Sequence, residues 1–196
     1  MLGPHARAAL SVSLFLAAGS PALAQESGCP YRQGTALASR PSPLDSVMID
    51  VGGATVKVCY GRPSARGRTM IGGDAVPFGT VWRTGANETT KLITPVTLSV
   101  GGIEVPAGMY AIYTLPGEAA WDVIVNRSHE QWGRESTYDD AVRAQELGRA
   151  TARVEPVAEP IETFTIRAEP QADGSADLIL EWERTRVRVR VIARET

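Results

Sequence analysis

Apolar and polar residues alternate along most of this chain, and glycine or proline interrupts the alternation about every eight to twelve residues, the spacing of short strands joined by turns. Val47 to Val51 and Ala54 to Tyr60 flank Gly52-Gly53, which predicts a hairpin closed by a two-residue turn. In its second strand Val56, Val58 and Tyr60 share one face while Thr55, Lys57 and Cys59 share the other, because successive side chains on a strand point to opposite sides. A second hairpin is predicted from Val96 to Val105 around Gly101-Gly102. Strands follow at Met109 to Leu115 and Trp121 to Val125, with a turn at Pro116-Gly117-Glu118 between them. Further strands are expected over Ala150 to Val157 and Ile161 to Ala168, then a last hairpin of Ala176 to Glu183 with Arg186 to Ile192. In that final strand Val187, Val189 and Val191 face inward, and Arg186, Arg188 and Arg190 face out. This is the pattern of a half-solvated antiparallel strand, and its arginine row reads as a solvated face that resists aggregation.

Two stretches depart from this rhythm. Residues 61–80 form a long Gly/Pro-rich loop that carries Arg62, Arg66 and Arg68; loops of that length in compact domains are often functional. Residues 127–148 hold one short helix near 138–147, with Thr137 as N-cap and Gly148 as stop. Roughly ten strands, one minor helix and no β-α-β alternation define an all-β, mainly antiparallel fold, a β-sandwich or jelly-roll-like barrel.

The N-terminus adds a destination. Arg7 precedes an apolar run from Ala8 to Ala18, and Ala22-Leu23-Ala24 supplies a small-residue cleavage site. Residues 1–24 are therefore expected to be a signal peptide cut before Gln25. Residues 25–46 have no period and read as an extended arm, and 47–196 as a single β domain. The protein is expected to be periplasmic or secreted. No later apolar run is long enough to span a membrane. Loss of Arg7 leaves nineteen basic and twenty-two acidic residues, a net charge of −3, which gives no reason to expect a nucleic-acid partner.

The two cysteines, Cys29 and Cys59, form an even pair in an oxidising compartment and are expected to be a disulfide. It would tie the arm to the outer face of a strand, worth roughly 3 kcal/mol by closing the loop. His129 is the only histidine after Ala24, so a His-rich or Cys/His metal site is not expected. No cofactor is expected either.

Several blocks carry a family likeness. Gly61-Arg62-Pro63-Ser64-Ala65-Arg66-Gly67-Arg68, Val81-Trp82-Arg83-Thr84-Gly85-Ala86-Asn87-Glu88, the run from Pro106 to Gly117, and Gln131-Trp132-Gly133 resemble the signature blocks of a bacterial exported family catalogued as domain of unknown function 2911. Glu162 to Ile166 and Leu180-Glu181-Trp182 resemble its C-terminal strands. The resemblance covers roughly residues 42–192. It implies a secreted or periplasmic β-rich bacterial protein and brings no established activity and no assigned catalytic residues.

Candidate chemistry is sparse. Ser64, Asp74 and His129 are present, but no G-x-S-x-G elbow accompanies them. Glu88, Asp74 and Glu118 lie near turns, and glycoside hydrolysis needs two carboxyls at a fixed spacing that sequence does not set. The sharpest expectation is a polar binding cleft for a small anionic or glycan-like ligand, lined by Arg62, Arg66, Arg68, Trp82, Arg83, Asn87, Glu88, Gln131 and Trp132. Guanidinium forks hold carboxylates or phosphates, tryptophan presents a flat apolar face, and Asn87 and Glu88 can read hydroxyls. Against this, Trp82 beside a strand fits a core, and Arg83 with Glu88 fits a loop lock. A non-catalytic binding or structural module is therefore the leading reading. A hydrolase of envelope glycans or esters, with Glu88 or His129 as acid/base, is the alternative.

Overall fold

A computed structural model describes residues 28–31, 37–132 and 135–194; the expected signal peptide lies outside them. Strand β1 (Leu44–Val51) and β2 (Ala54–Gly61) form the first predicted hairpin. Gly52 and Gly53 close it with φ of 54° and 79°, the left-handed values that a two-residue turn requires. Strand β1 starts at Leu44, three residues inside the expected arm.

Strand β3 (Thr90–Thr94) joins β2 to β6 (Gly108–Leu115). No expectation covered β3, because TKLIT is short and has a lysine where an apolar residue would mark a strand. Strands β4 (Leu98–Val100) and β5 (Ile103–Val105) are the second predicted hairpin. Strand β7 (Ala120–Asn126) follows β6.

The largest departures come after β7. The helix expected at 138–147 is a single turn, α1 (Asp140–Arg143), capped by the Asp139 carboxylate, which accepts from Val142 N at 2.9 Å. Val142 is its one buried residue, too little apolar surface to extend it. The two strands expected over 150–168 are one, β8 (Glu146–Pro170), and the expected last hairpin is also one strand, β9 (Ala176–Ala193). Arg184-Thr185 does not turn the chain. The strand bends instead, with Glu183 at φ 52°, opposite a register shift between Pro156 and Ile161 of β8.

These long strands fold one antiparallel sheet on itself. The order is β1-β2-β3-β6-β7-β8-β9-β4-β5. The first part of β8 pairs with β7 and the remainder with β9, so β8 belongs to both layers of a sandwich. A seam begins to close the opposite side. Ala65 N donates to Glu162 O at 2.9 Å, Phe164 N to Pro63 O at 2.9 Å, and Ile166 N to the Tyr60 hydroxyl at 3.0 Å.

Between the layers lies the core, with Val56, Val58, Leu92, Ile112, Val123, Phe164, Leu180, Val187 and Val191 all nearly inaccessible. At its centre Trp82 stacks on Trp182 (5.8 Å between rings, 20° between planes) and meets Trp121 and Phe164 edge-on at 6.2 and 5.0 Å. On the outer face of the second layer, Arg167, Arg186, Arg188 and Arg190 interleave with Glu155, Glu169, Asp173, Asp177 and Glu181 in a ladder of ion pairs.

Removing the central ring should be felt throughout. Trp82→Ala is expected to lower the free energy of unfolding by about 3–5 kcal/mol, read from urea unfolding. A loss below about 1 kcal/mol would mean that the ring is not part of the core.

Candidate functional site

The segment Trp82–Glu88 is held tightly before any ligand is considered. Trp82 exchanges backbone hydrogen bonds with Thr114 (2.7 and 2.9 Å), and its indole donates to Gly85 O at 3.1 Å. Thr84 is β-branched yet has φ 58°, and Asn87 has φ 66°; such a threonine costs of order 1–3 kcal/mol unless its surroundings enforce it. They do. The Thr90 hydroxyl donates to Thr84 O at 2.6 Å, and the Thr84 hydroxyl bonds Thr114 Oγ1 at 3.2 Å. The end of β2 presses against the same turn, where a Cβ on Gly61 would sit 2.1 Å from Ala86 O.

The nine residues expected to line one cleft divide into four groups. Trp82 is core, 4% exposed. The arginines of the 61–80 loop bind their own neighbourhood. Arg62 reaches Asp45 Oδ2 and Thr165 Oγ1, each at 3.1 Å. Arg66 donates to Pro41 O at 3.0 Å, and Arg68 to Ala65 O and Ser64 O at 3.0 and 3.2 Å. Arg83 ties its own turn to the segment after β7 by donating to Asn87 O (2.7 Å) and Trp132 O (3.2 Å), while the Asn87 amide binds Ser42 O at 2.9 Å. Glu88, Gln131 and Trp132 do share a cavity.

That cavity, about 350 Å³, lies on the outer face of the first layer. Alternation along β3 and β6 builds its floor: Leu92, Tyr110 and Ile112 point into the core, leaving Lys91 and Met109 to the outside. His129, Glu130, Gln131 and Trp132 form one wall, and Pro30 and Tyr31 of the arm form another. The Cys29–Cys59 disulfide sets that second wall, because Cys59 is the register neighbour of Lys91 across the β2–β3 ladder. Arg40 of the same arm grips Glu88 with both guanidinium arms at 2.8 Å in a nearly buried pair, and lies 6.0 Å from the Tyr31 ring centre, within cation–π range.

Lys91 is the residue the sequence reading passed over. It is 7% exposed, and its ammonium donates to the Thr89 hydroxyl at 3.3 Å and to the His129 carbonyl. Burial holds its pKa below the ordinary lysine value, against a smaller opposing pull from Glu88 and Glu130. A signal was available. Only two of the twenty basic residues, Lys57 and Lys91, are lysines. A lysine inside a strand of an arginine-rich chain marks a position where the guanidinium was not taken.

In a separate small cluster with Ala111 and Ile124, Tyr113 and Tyr138 pack edge-on at 4.7 Å. The Tyr113 hydroxyl is buried without a partner, and burial pushes its pKa up. Among the described residues no group of three or more His, Cys, Asp or Glu is placed to hold a metal ion, and no helix is long and apolar enough to cross a membrane.

An antiparallel sandwich with a clad outer face thus frames the site, and the sequence places it in a lineage. The profile of a family described as a protein of unknown function (DUF2911) matches residues 42–191. The chain belongs to that family. No curated protein and no solved structure matches it.

The buried ammonium has a pH signature. The folded state disfavours the charged form of Lys91, so the unfolded chain binds more protons and stability rises with pH until the ordinary value of 10.5. Lys91→Met is expected to melt higher than the parent at neutral pH, with the difference shrinking as pH climbs toward 10.5. Parallel melting curves across that range would show that the amine carries no burial penalty.

Proposed function

We propose that this protein is exported after removal of residues 1–24 and serves in the bacterial cell envelope as a non-catalytic binding module, taking a small glycan-like ligand in the Lys91 cavity. One observation carries the reading: a cavity of about 350 Å³ in which two aromatic rings, Tyr31 and Trp132, stand with the polar groups of Lys91, Glu130 and Gln131. Flat rings suit the apolar faces of a sugar. Carboxylate and amide oxygens accept from hydroxyls, and an ammonium donates to them. Between a glycan and a small anion the charges favour the glycan, since among the described residues Glu88 and Glu130 flank the one cation that lines the cavity. The disulfide supports export, because such bonds persist in oxidising compartments.

The hydrolase alternative draws less support. Both Glu88 oxygens are taken by the Arg40 fork, which suits a structural carboxylate better than a proton donor. His129 enters the cavity wall beside Glu130, and among the described residues no hydrogen bond joins it to a nucleophile.

Export has a direct check. N-terminal sequencing of protein recovered outside the cytoplasm is expected to begin at Gln25, with Cys29 and Cys59 oxidised. Recovery of a chain that retains Met1 and two reduced thiols would remove the envelope assignment.

Binding has its own reporter. Trp82, Trp121 and Trp182 are buried, while Trp132 is half-buried in the cavity wall. A cavity ligand is expected to perturb Trp132 fluorescence in titrations with envelope oligosaccharides, and Trp132→Ala to weaken binding about tenfold or more. Equal affinity for Trp132→Ala and the parent would place the ligand elsewhere.

A further inference from the structure

The cavity floor is chemically unusual for this chain. Arginine serves almost everywhere that a cation is used, including every ion pair on the outer β8–β9 face. Lys91 stands instead at the base of the cavity, and both of its hydrogen bonds go to neutral oxygens. The adjoining carboxylate, Glu88, is engaged by Arg40. Met109 and Trp132 supply apolar surface beside the amine. A lysine desolvated in this way becomes an amine nucleophile, which a guanidinium cannot be. Among the described residues, the charged and titratable groups facing it are Glu88 ahead of β3, Glu130 and His129 from the segment after β7, and Tyr31 from the arm.

We propose that Lys91 Nζ captures the ligand covalently and reversibly, as an imine with the aldehyde carbon of an open-chain reducing sugar. This rests on the glycan reading above and names the end of the ligand that it recognises. The nitrogen lone pair adds to the carbonyl carbon, and the carbonyl oxygen takes a proton that nitrogen gives up, forming a carbinolamine. The second N–H proton leaves with that oxygen as water, and the C=N bond forms. Two N–H hydrogens and one carbonyl oxygen depart as one water molecule, with no change of oxidation state. Hydrolysis of the imine releases the ligand. Burial supports the step, because it lowers the pKa of Lys91 and enlarges its neutral fraction near neutral pH. Glu130 and Gln131 are placed in the same wall to receive the sugar hydroxyls.

The chain offers an internal control, since Lys57 is the only other lysine. The mature protein would be incubated near neutral pH with D-ribose or with methyl riboside, which has no aldehyde, then treated with cyanoborohydride and mapped by peptide mass spectrometry. Trp132 fluorescence would be followed in parallel. The expected result is a ribose adduct on Lys91 formed faster than on Lys57, and no adduct from the methyl glycoside. Lys57→Arg should leave the adduct intact, and Lys91→Met should abolish it while folding normally. Labelling of Lys57 at the same rate as Lys91 overturns the proposal. So does fluorescence binding of both sugars with no adduct, which leaves the glycan reading standing. Neither binding nor adduct overturns both.

Discussion

A strand of twenty-five residues, β8, holds this protein together. Its first third pairs with β7 and the remainder with β9, so neither layer of the sandwich exists without it. A flat strand of that length would leave two apolar faces in water. The bend at Pro156–Ile161, matched by Glu183 on β9, turns those faces toward each other. The rest is a consequence of that closure. Trp182 and Phe164 arrive over Trp82 and Trp121, and the layers meet on aromatic rings rather than on aliphatic side chains alone.

With the core spent on one face of the first layer, the other face must be covered by something else. Three pieces do it: the arm, the segment after β7, and the one-turn helix. The disulfide fixes the arm, the Arg40–Glu88 pair fixes its return toward β1, and Asn126 fixes the segment after β7 through Val142 O and Ser128 N. The cavity is the gap that these pieces leave above Lys91. It is a product of incomplete cladding, and its chemistry is set by which outward side chains were left beneath.

Much of the sandwich was legible from local pattern. Gly52-Gly53 and Gly101-Gly102 announced their hairpins, and Val187, Val189 and Val191 announced an inward face. The disulfide followed from cysteine arithmetic. The bend of β8 and β9 was not legible, because Arg184-Thr185 carries no turn residue and the strain falls on Glu183, a residue with no preference for φ 52°. Strand β3 was hidden for the reason that matters most to the site: Lys91 interrupts its apolar run and is itself the cavity floor. The candidate residues were assembled by closeness in sequence. Yet Arg62 and Trp82 serve the seam and the core, while Tyr31 and Lys91 come to the cavity through pairings across strands and arm, and Arg40 holds the lining carboxylate Glu88.

The family profile spans residues 42–191, whereas Cys29, Pro30, Tyr31 and Arg40 stand before it. The arm wall of the cavity therefore lies outside the stretch that the family profile matches, and the floor lies within it. Pro30 and Tyr31 make no contribution to the packing between the layers, so they are open to replacement while the sandwich beneath stays constrained. Substitution in this short tethered stretch would reshape the cavity and leave the packing of the sandwich as it is, much as a tool accepts a new bit while its handle is kept.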